Sequence, residues 1–139
     1  IYGSTDAESD ALRGRGGLLK QSARSPGGHG NLPTCALNPG NIDACDTCEN
    51  TRAASCFFAG DVRVNEQPNL IVMHTVFMRE HNRLVGILAG LNPGWDGDRL
   101  YEEARRINIA QYQHIIYKEY GQTYVLLALY YIACIPLTL

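Results

Sequence analysis

Two stretches of the chain carry apolar side chains at helical spacing. Between residues 66 and 91, Leu70, Met73, Phe77, Leu84 and Leu88 fall near three-to-four spacing. Ile71, Val76 and Val85 widen that stripe. Pro68 suits the first turn, where its missing N–H would have no partner. Asn92-Pro93-Gly94 ends the helix. A second helix is predicted over 98–120. Asp96 or Asp98 can cap it, and Glu102 and Glu103 suit the positive end of its dipole. Leu100, Ala104, Ile107, Gln111, His114 and Ile115 form one face, with Arg105, Arg106 and Lys118 outside it. The short Asn-Pro-Gly-Trp link predicts antiparallel neighbours. Residues 1–60 read differently, being rich in Gly, Pro, Ser and Asn. Gly14-Arg15-Gly16-Gly17, Ser25-Pro26-Gly27-Gly28 and Asn38-Pro39-Gly40-Asn41 are turn chemistry. Only a short helix over Ala7–Leu12 is expected there, capped by Ser4 or Asp6. No internal repeat or βαβ alternation is visible. The predicted class is mainly α: two long antiparallel helices preceded by a loop-rich segment.

The 139 residues are enough for one modest domain with a core. A formal net charge of −2, with no basic run, gives no footprint for nucleic acid or an anionic membrane. The chain begins at Ile1 without methionine and without the pattern of a signal peptide. The run from Thr123 to Leu139 is apolar, yet shorter than the ~20 residues of a typical span, and Pro136 interrupts it. A short tilted span and a buried helix both remain open for it. Five cysteines point to an oxidising compartment.

The candidate chemistry lies in three constellations. Arg63 and Glu66 stand three residues apart where a loop enters the first long helix. A guanidinium keeps its charge near neutral pH and suits a developing oxyanion. A glutamate at a helix start can equally be a cap or a simple ion-pair partner. His74 and His81 are seven residues apart, too far for both to ligate one metal, whereas spacing of four is the ligand pattern. With His114 they read as core histidines, and a haem axial role is compatible with any of them. Cys35, Cys45, Cys48 and Cys56 have nine, two and seven residues between them. They read as disulfide candidates, with a four-thiolate zinc site as the alternative. Cys134 stands apart.

Several motifs occur together in order. They are Ala59-Gly60-Asp61 with Arg63, Asn65-Glu66-Gln67-Pro68, Met73-His74-Thr75, Arg79-Glu80-His81-Asn82-Arg83, Asn92-Pro93 with Trp95-Asp96, and Glu103-Ala104-Arg105-Arg106 with Gln113-His114. In this order and spacing the chain resembles the animal haem peroxidases, and Ile1-Tyr2-Gly3-Ser4 resembles the segment after that family's calcium loop. The likeness covers roughly 1–120 and is most specific from 57 to 117.

The resemblance implies that Arg63 lies on the distal side of a haem b, where it helps a distal histidine polarise peroxide. It implies that Glu66 forms an ester to a haem methyl group. Gln67 takes the place of a methionine that some members link to haem, and a glutamine cannot form that sulfonium bond. It implies that Cys56 pairs with an upstream loop cysteine. The family's distal histidine, second ester-forming aspartate and calcium ligands precede the position of Ile1, and its proximal histidine lies beyond Tyr117–Tyr120. The chain is therefore expected to be the central fragment of a secreted peroxidase, inactive alone. Its parent would use hydrogen peroxide to oxidise halides, phenols or protein tyrosines. Where the family continues with Leu-Pro after Tyr120, this chain reads Gly121-Gln122, so 121–139 are expected to be an atypical apolar tail. The alternative is a non-catalytic extracellular module, held by disulfides or by zinc.

Overall fold

The computed structural model describes residues 1–22, 30–34 and 56–134, with side chains up to 128. Cys35, Cys45 and Cys48 lie outside the described residues, as does the side chain of Cys134. Every extended element among the described residues is helical. The only strand-like pairings among them are the single bridges Arg13–Leu19 and Thr34–Phe57. The chain divides into two compact units, Ile1–Arg105 and Arg106–Leu139.

The first unit begins with α1, Asp6–Leu12. Its cap is Thr5, not Ser4 or Asp6. Glu8 stands three residues after Thr5, so the pair can bond reciprocally. The Glu8 N–H donates to Thr5 Oγ1 at 3.2 Å and the Thr5 N–H donates to Glu8 Oε2 at 3.1 Å. Ser4 adds its own N–H and hydroxyl to the same carboxylate. A 3-10 turn over Arg15–Gly17 then reverses the chain. Gly17 has φ +86°, and a Cβ there would stand 2.7 Å from the Gly97 carbonyl oxygen. Only glycine meets both conditions without strain.

The long helix α2 spans Pro68–Leu91, with Gln67 extended at its cap. It buries Met78, His81, Leu84 and Val85. The predicted stripe is thus rotated at its start: Met73 and Val76 are about half exposed, at 47% and 49%. Met78 instead joins Leu12, Leu19, Leu32, Phe58, Ala59, Val64 and Tyr101 in one core cluster. Leu84, Val85, Leu100 and Ala104 form a second cluster, with Leu88, Ala89 and Trp95 against it. That cluster straddles the 92–96 link, so the end of α2 packs on the start of α3, as the short link requires. Helix α3, Gly97–His114, starts at Asp96, whose carboxylate accepts from the Arg99 N–H at 2.8 Å. Asp98 is engaged elsewhere, by Arg13 at 3.1 Å.

Among the described residues of the loop-rich segment no sheet satisfies the backbone, and α2 supplies partners from one side. Arg79 donates through Nε to the Gly30 carbonyl and through a terminal nitrogen to Asn31 Oδ1. His81 bonds the Gly17 carbonyl at 3.0 Å. The Asn82 side chain accepts from the Leu19 N–H and donates to the Leu19 carbonyl. Buried backbone groups without such partners are costly.

In the second unit the last part of α3 passes into a π-helical turn, Ile115–Tyr120, and then α4, Gly121–Cys134. The segment to 120 is helical as predicted, but the ladder widens there, with Gly121 N–H donating to Ile116 O. Gly121-Gln122 do not stop the helix. The predicted inward face is also corrected here. His114 is exposed, Ile107 and Ile115 are 38% and 40% exposed, and Asn108 is the buried residue. No helix of the described residues is long and apolar enough to cross a membrane.

Gly17→Ala is expected to lower stability by about 1–3 kcal/mol, from a left-handed backbone plus a close contact. Gly94→Ala, where nothing lies within 4 Å, should change it by less than about 0.5 kcal/mol. Urea unfolding of both variants measures this, and equal losses would contradict the account of Gly17.

Candidate functional site

The segment from Cys56 to Gln67 is built from the inside outward. Cys56 is buried and bonded in a disulfide. A sulfur so bonded is not a thiolate, so Cys56 does not act as a zinc ligand in this structure. No group of three or more possible metal ligands occurs among the described residues. The Phe58 N–H donates to the Pro33 carbonyl at 2.7 Å. Asn65 closes the segment on itself: its Oδ1 accepts from the Phe57 N–H and its Nδ2 donates to the Phe57 carbonyl, each at 2.9 Å.

Between these anchors lies a 3-10 helix, Val62–Asn65. Val64 is completely buried in the core, and this turns its neighbour Arg63 outward, with 68% of the side chain exposed. Asp61 caps the turn and grips the arginine at once. Its Oδ1 accepts from the Arg63 N–H at 2.9 Å and from Nε at 3.0 Å, while Oδ2 accepts from a terminal guanidinium nitrogen at 2.8 Å. This planar two-point grip fixes the guanidinium plane more firmly than a single contact could. Hydrogen bonds from the Arg63 side chain and then its backbone hold the Asp61 carboxyl far below its ordinary value. The same pairing raises Arg63, with Glu66 a minor contributor.

The sequence alone pointed to Glu66 as the carboxylate beside Arg63. The structure gives the direct pairing to Asp61 and leaves Glu66 exposed, its N–H donating to the Arg63 carbonyl. Gln67 follows, also exposed. Val62, Val72, Met73 and Val76 add exposed apolar surface on the 3-10 helix and the first three turns of α2. Arg63, Glu66 and Gln67 are therefore all exposed within five residues of one segment. Asp61 is the residue of this segment whose part in holding Arg63 the sequence reading missed. Its signal was an aspartate two residues before the arginine at a helix start, the usual place for a side chain to bond a following backbone N–H.

The histidines belong to the framework. The His74 ring donates through Nδ1 to the Leu70 carbonyl at 2.8 Å. Burial is the first cause of its lowered pKa. His81 is fully buried between Tyr2 and Gly17, and burial lowers it too. His81 is thus the bonded core histidine expected, His74 is bonded but only partly buried, and His114 is exposed.

The family model described as animal haem peroxidase matches residues 1–128. Peroxidasin of Drosophila melanogaster is 44% identical over 123 residues, covering 86% of this chain and 8% of the relative. Human eosinophil peroxidase is 44% identical over 124 residues, covering 86% of this chain and 17% of the relative. The structure of peroxidase A from Dictyostelium discoideum matches with a TM-score of 0.75 and 31% identity, over 86% of this chain and 23% of that one. The chain thus spans between about a twelfth and a quarter of the proteins it matches. On these matches and the mainly helical fold, the chain belongs to the animal haem peroxidase family.

Proposed function

We propose that residues 61–67 form part of the distal wall of a haem site in a peroxidase that uses hydrogen peroxide. One observation carries the reading: in a chain of this family, a permanently charged guanidinium is exposed, locked by Asp61, and set three residues before an exposed carboxylate. The residues fit the group. A flat porphyrin needs apolar contact, which Val62, Val72, Met73 and Val76 offer, and a nucleophilic oxygen for covalent attachment, which Glu66 offers. Gln67 has no sulfur for a sulfonium link, so attachment through this segment rests on Glu66 alone.

Haem, when bound, supplies the redox chemistry of peroxide cleavage. The chain supplies a pre-set cation. Arg63 stabilises negative charge that develops on a peroxide oxygen, and Asp61 holds the fork so that little reorganisation is needed. The lowered pKa of Asp61 keeps its carboxylate ionised, and so the grip on Arg63 intact, in mild acid. The substrates that fit the reading are halides, phenols or protein tyrosines. The disulfide at Cys56 supports an extracellular setting, and a calcium ion belongs to the reading through the family alone.

In a peroxidase containing residues 1–128, Arg63→Gln should lower kcat/KM for hydrogen peroxide by roughly 10²-fold, the usual effect of removing one charge-stabilising donor. Stopped-flow mixing with peroxide measures it; an unchanged rate would count against the distal role. Asp61→Asn tests the grip through stability. The folded carboxyl titrates below its ordinary 3.8, so its contribution is present above that value and is lost as pH falls through the lower folded value. The variant should be less stable than the parent by up to about 1 kcal/mol at neutral pH, and the gap should close in strong acid. Urea unfolding across pH reads the gap, and a gap independent of pH contradicts the ion pair.

A further inference from the structure

A second cluster, apart from Arg63 and Glu66, joins three aromatic rings in the first unit. His81 has no exposed surface, and Tyr101 is 1% exposed. The Tyr2 ring lies edge-on to His81 at 5.5 Å and to Tyr101 at 6.1 Å, and His81 and Tyr101 are 5.1 Å apart. The hydrogen bonds of His81 fix its tautomer. Gly17 O is a carbonyl and can only accept, so Nε2 carries the proton. Nδ1 then presents its lone pair to the Tyr2 hydroxyl, 3.0 Å away. Tyr2 therefore donates its phenolic proton to a buried, neutral base. Burial keeps that imidazole below its ordinary value against the opposing hydrogen bond to Gly17, with the Arg13 charge lowering it further and Glu102 raising it.

This arrangement is not needed to bury a tyrosine, which a backbone carbonyl could satisfy. It is the arrangement required for oxidising a phenol without forming a high-energy cation. We propose that Tyr2 and His81 form a proton-coupled redox site, in which Tyr2 gives one electron to a high-potential one-electron oxidant as its phenolic proton passes to His81 Nδ1. The O–H bond of Tyr2 breaks and an N–H bond forms on His81. The products are a neutral phenoxyl radical, an imidazolium that donates back to the phenoxyl oxygen, and the oxidant reduced by one electron. Return of an electron reverses both transfers.

The surroundings select Tyr2 over Tyr101. The Tyr101 hydroxyl faces Ser9 Oγ at 3.4 Å, which is no base. The Arg13 guanidinium lies 3.9 Å over the Tyr101 ring and opposes loss of an electron from it. Arg105 stands over Tyr2 at the greater distance of 5.4 Å. Asp98 and Glu102 pair with Arg13, and Glu102 also pairs with Arg105, so the cations near both rings are partly balanced. The proposal does not depend on haem binding, and its test uses none.

Flash photolysis with a ruthenium polypyridyl sensitiser and an electron-accepting quencher would oxidise the 139-residue chain. High-field EPR and deuteron ENDOR in D2O would then read the radical. The expected result is a tyrosyl population bonded to one exchangeable deuteron on an imidazole nitrogen. It should vanish in Tyr2→Phe, persist in Tyr101→Phe, and form more slowly by roughly tenfold or more in His81→Gln, which removes a positioned base. Exposed tyrosines such as Tyr117 serve as the internal reference for solvent-facing radicals. If the wild-type signal holds only that reference population, or is unchanged in Tyr2→Phe, the proposal is overturned. Should a variant fail to fold, the wild-type ENDOR spectrum decides alone.

Discussion

The grip of α2 on a loop-rich segment with no strand among its described residues is the constraint on which the first unit depends. Arg79, His81 and Asn82 lie within four consecutive positions, yet they satisfy backbone groups of Gly30, Gly17 and Leu19. In a sheet those groups would bond to a neighbouring strand. Here one helix does that work with side chains, and the burial of Leu12, Leu19, Leu32 and Met78 follows from it. Net hydrogen bonds contribute little each, but leaving a buried partner unmatched costs about 1–3 kcal/mol. A polar motif in the middle of an amphipathic helix is thus a packing device as much as Leu84 is.

The same framework decides what is displayed. Val64 is drawn into the core and Asn65 locks onto Phe57. The one residue between Val62 and Val64 must then face outward, and it is the arginine. Asp61 turns that exposed, flexible side chain into an oriented one. A surface ion pair of this kind adds little stability. Its value lies in geometry, since a guanidinium held at two points presents its remaining N–H groups in one direction.

Much of this was legible in the residues. The two long helices, their Asn-Pro-Gly link and the turn chemistry around Gly16 and Gly17 follow from spacing and from glycine and proline. Arg63 and Glu66 could be singled out because few residue types serve as a fixed cation beside an acid. Four features escaped for physical reasons. Met73 and Val76 match a helical stripe, but apolar residues are also wanted where a cofactor or another segment packs, and periodicity does not tell the two apart. His114 lies in a pattern that continues past Asn108 while full burial does not. The pairing of Asp61 with Arg63 is a choice between two carboxylates, and backbone geometry made it. The Tyr2–His81 contact spans 79 positions and has no local signature at all.

The proposed function makes one claim open to direct test: that Glu66, at the exit of the turn gripped by Asp61, is an attachment point for haem. Peptide mass spectrometry reads this directly in a peroxidase containing residues 1–128, loaded with haem and turned over with peroxide. The account predicts a haem-bearing peptide that includes Glu66, carried through an ester that base hydrolysis releases, and its loss in Glu66→Gln. A peptide of residues 61–79 that never carries haem, or haem linkage at this segment that survives Glu66→Gln, would contradict it.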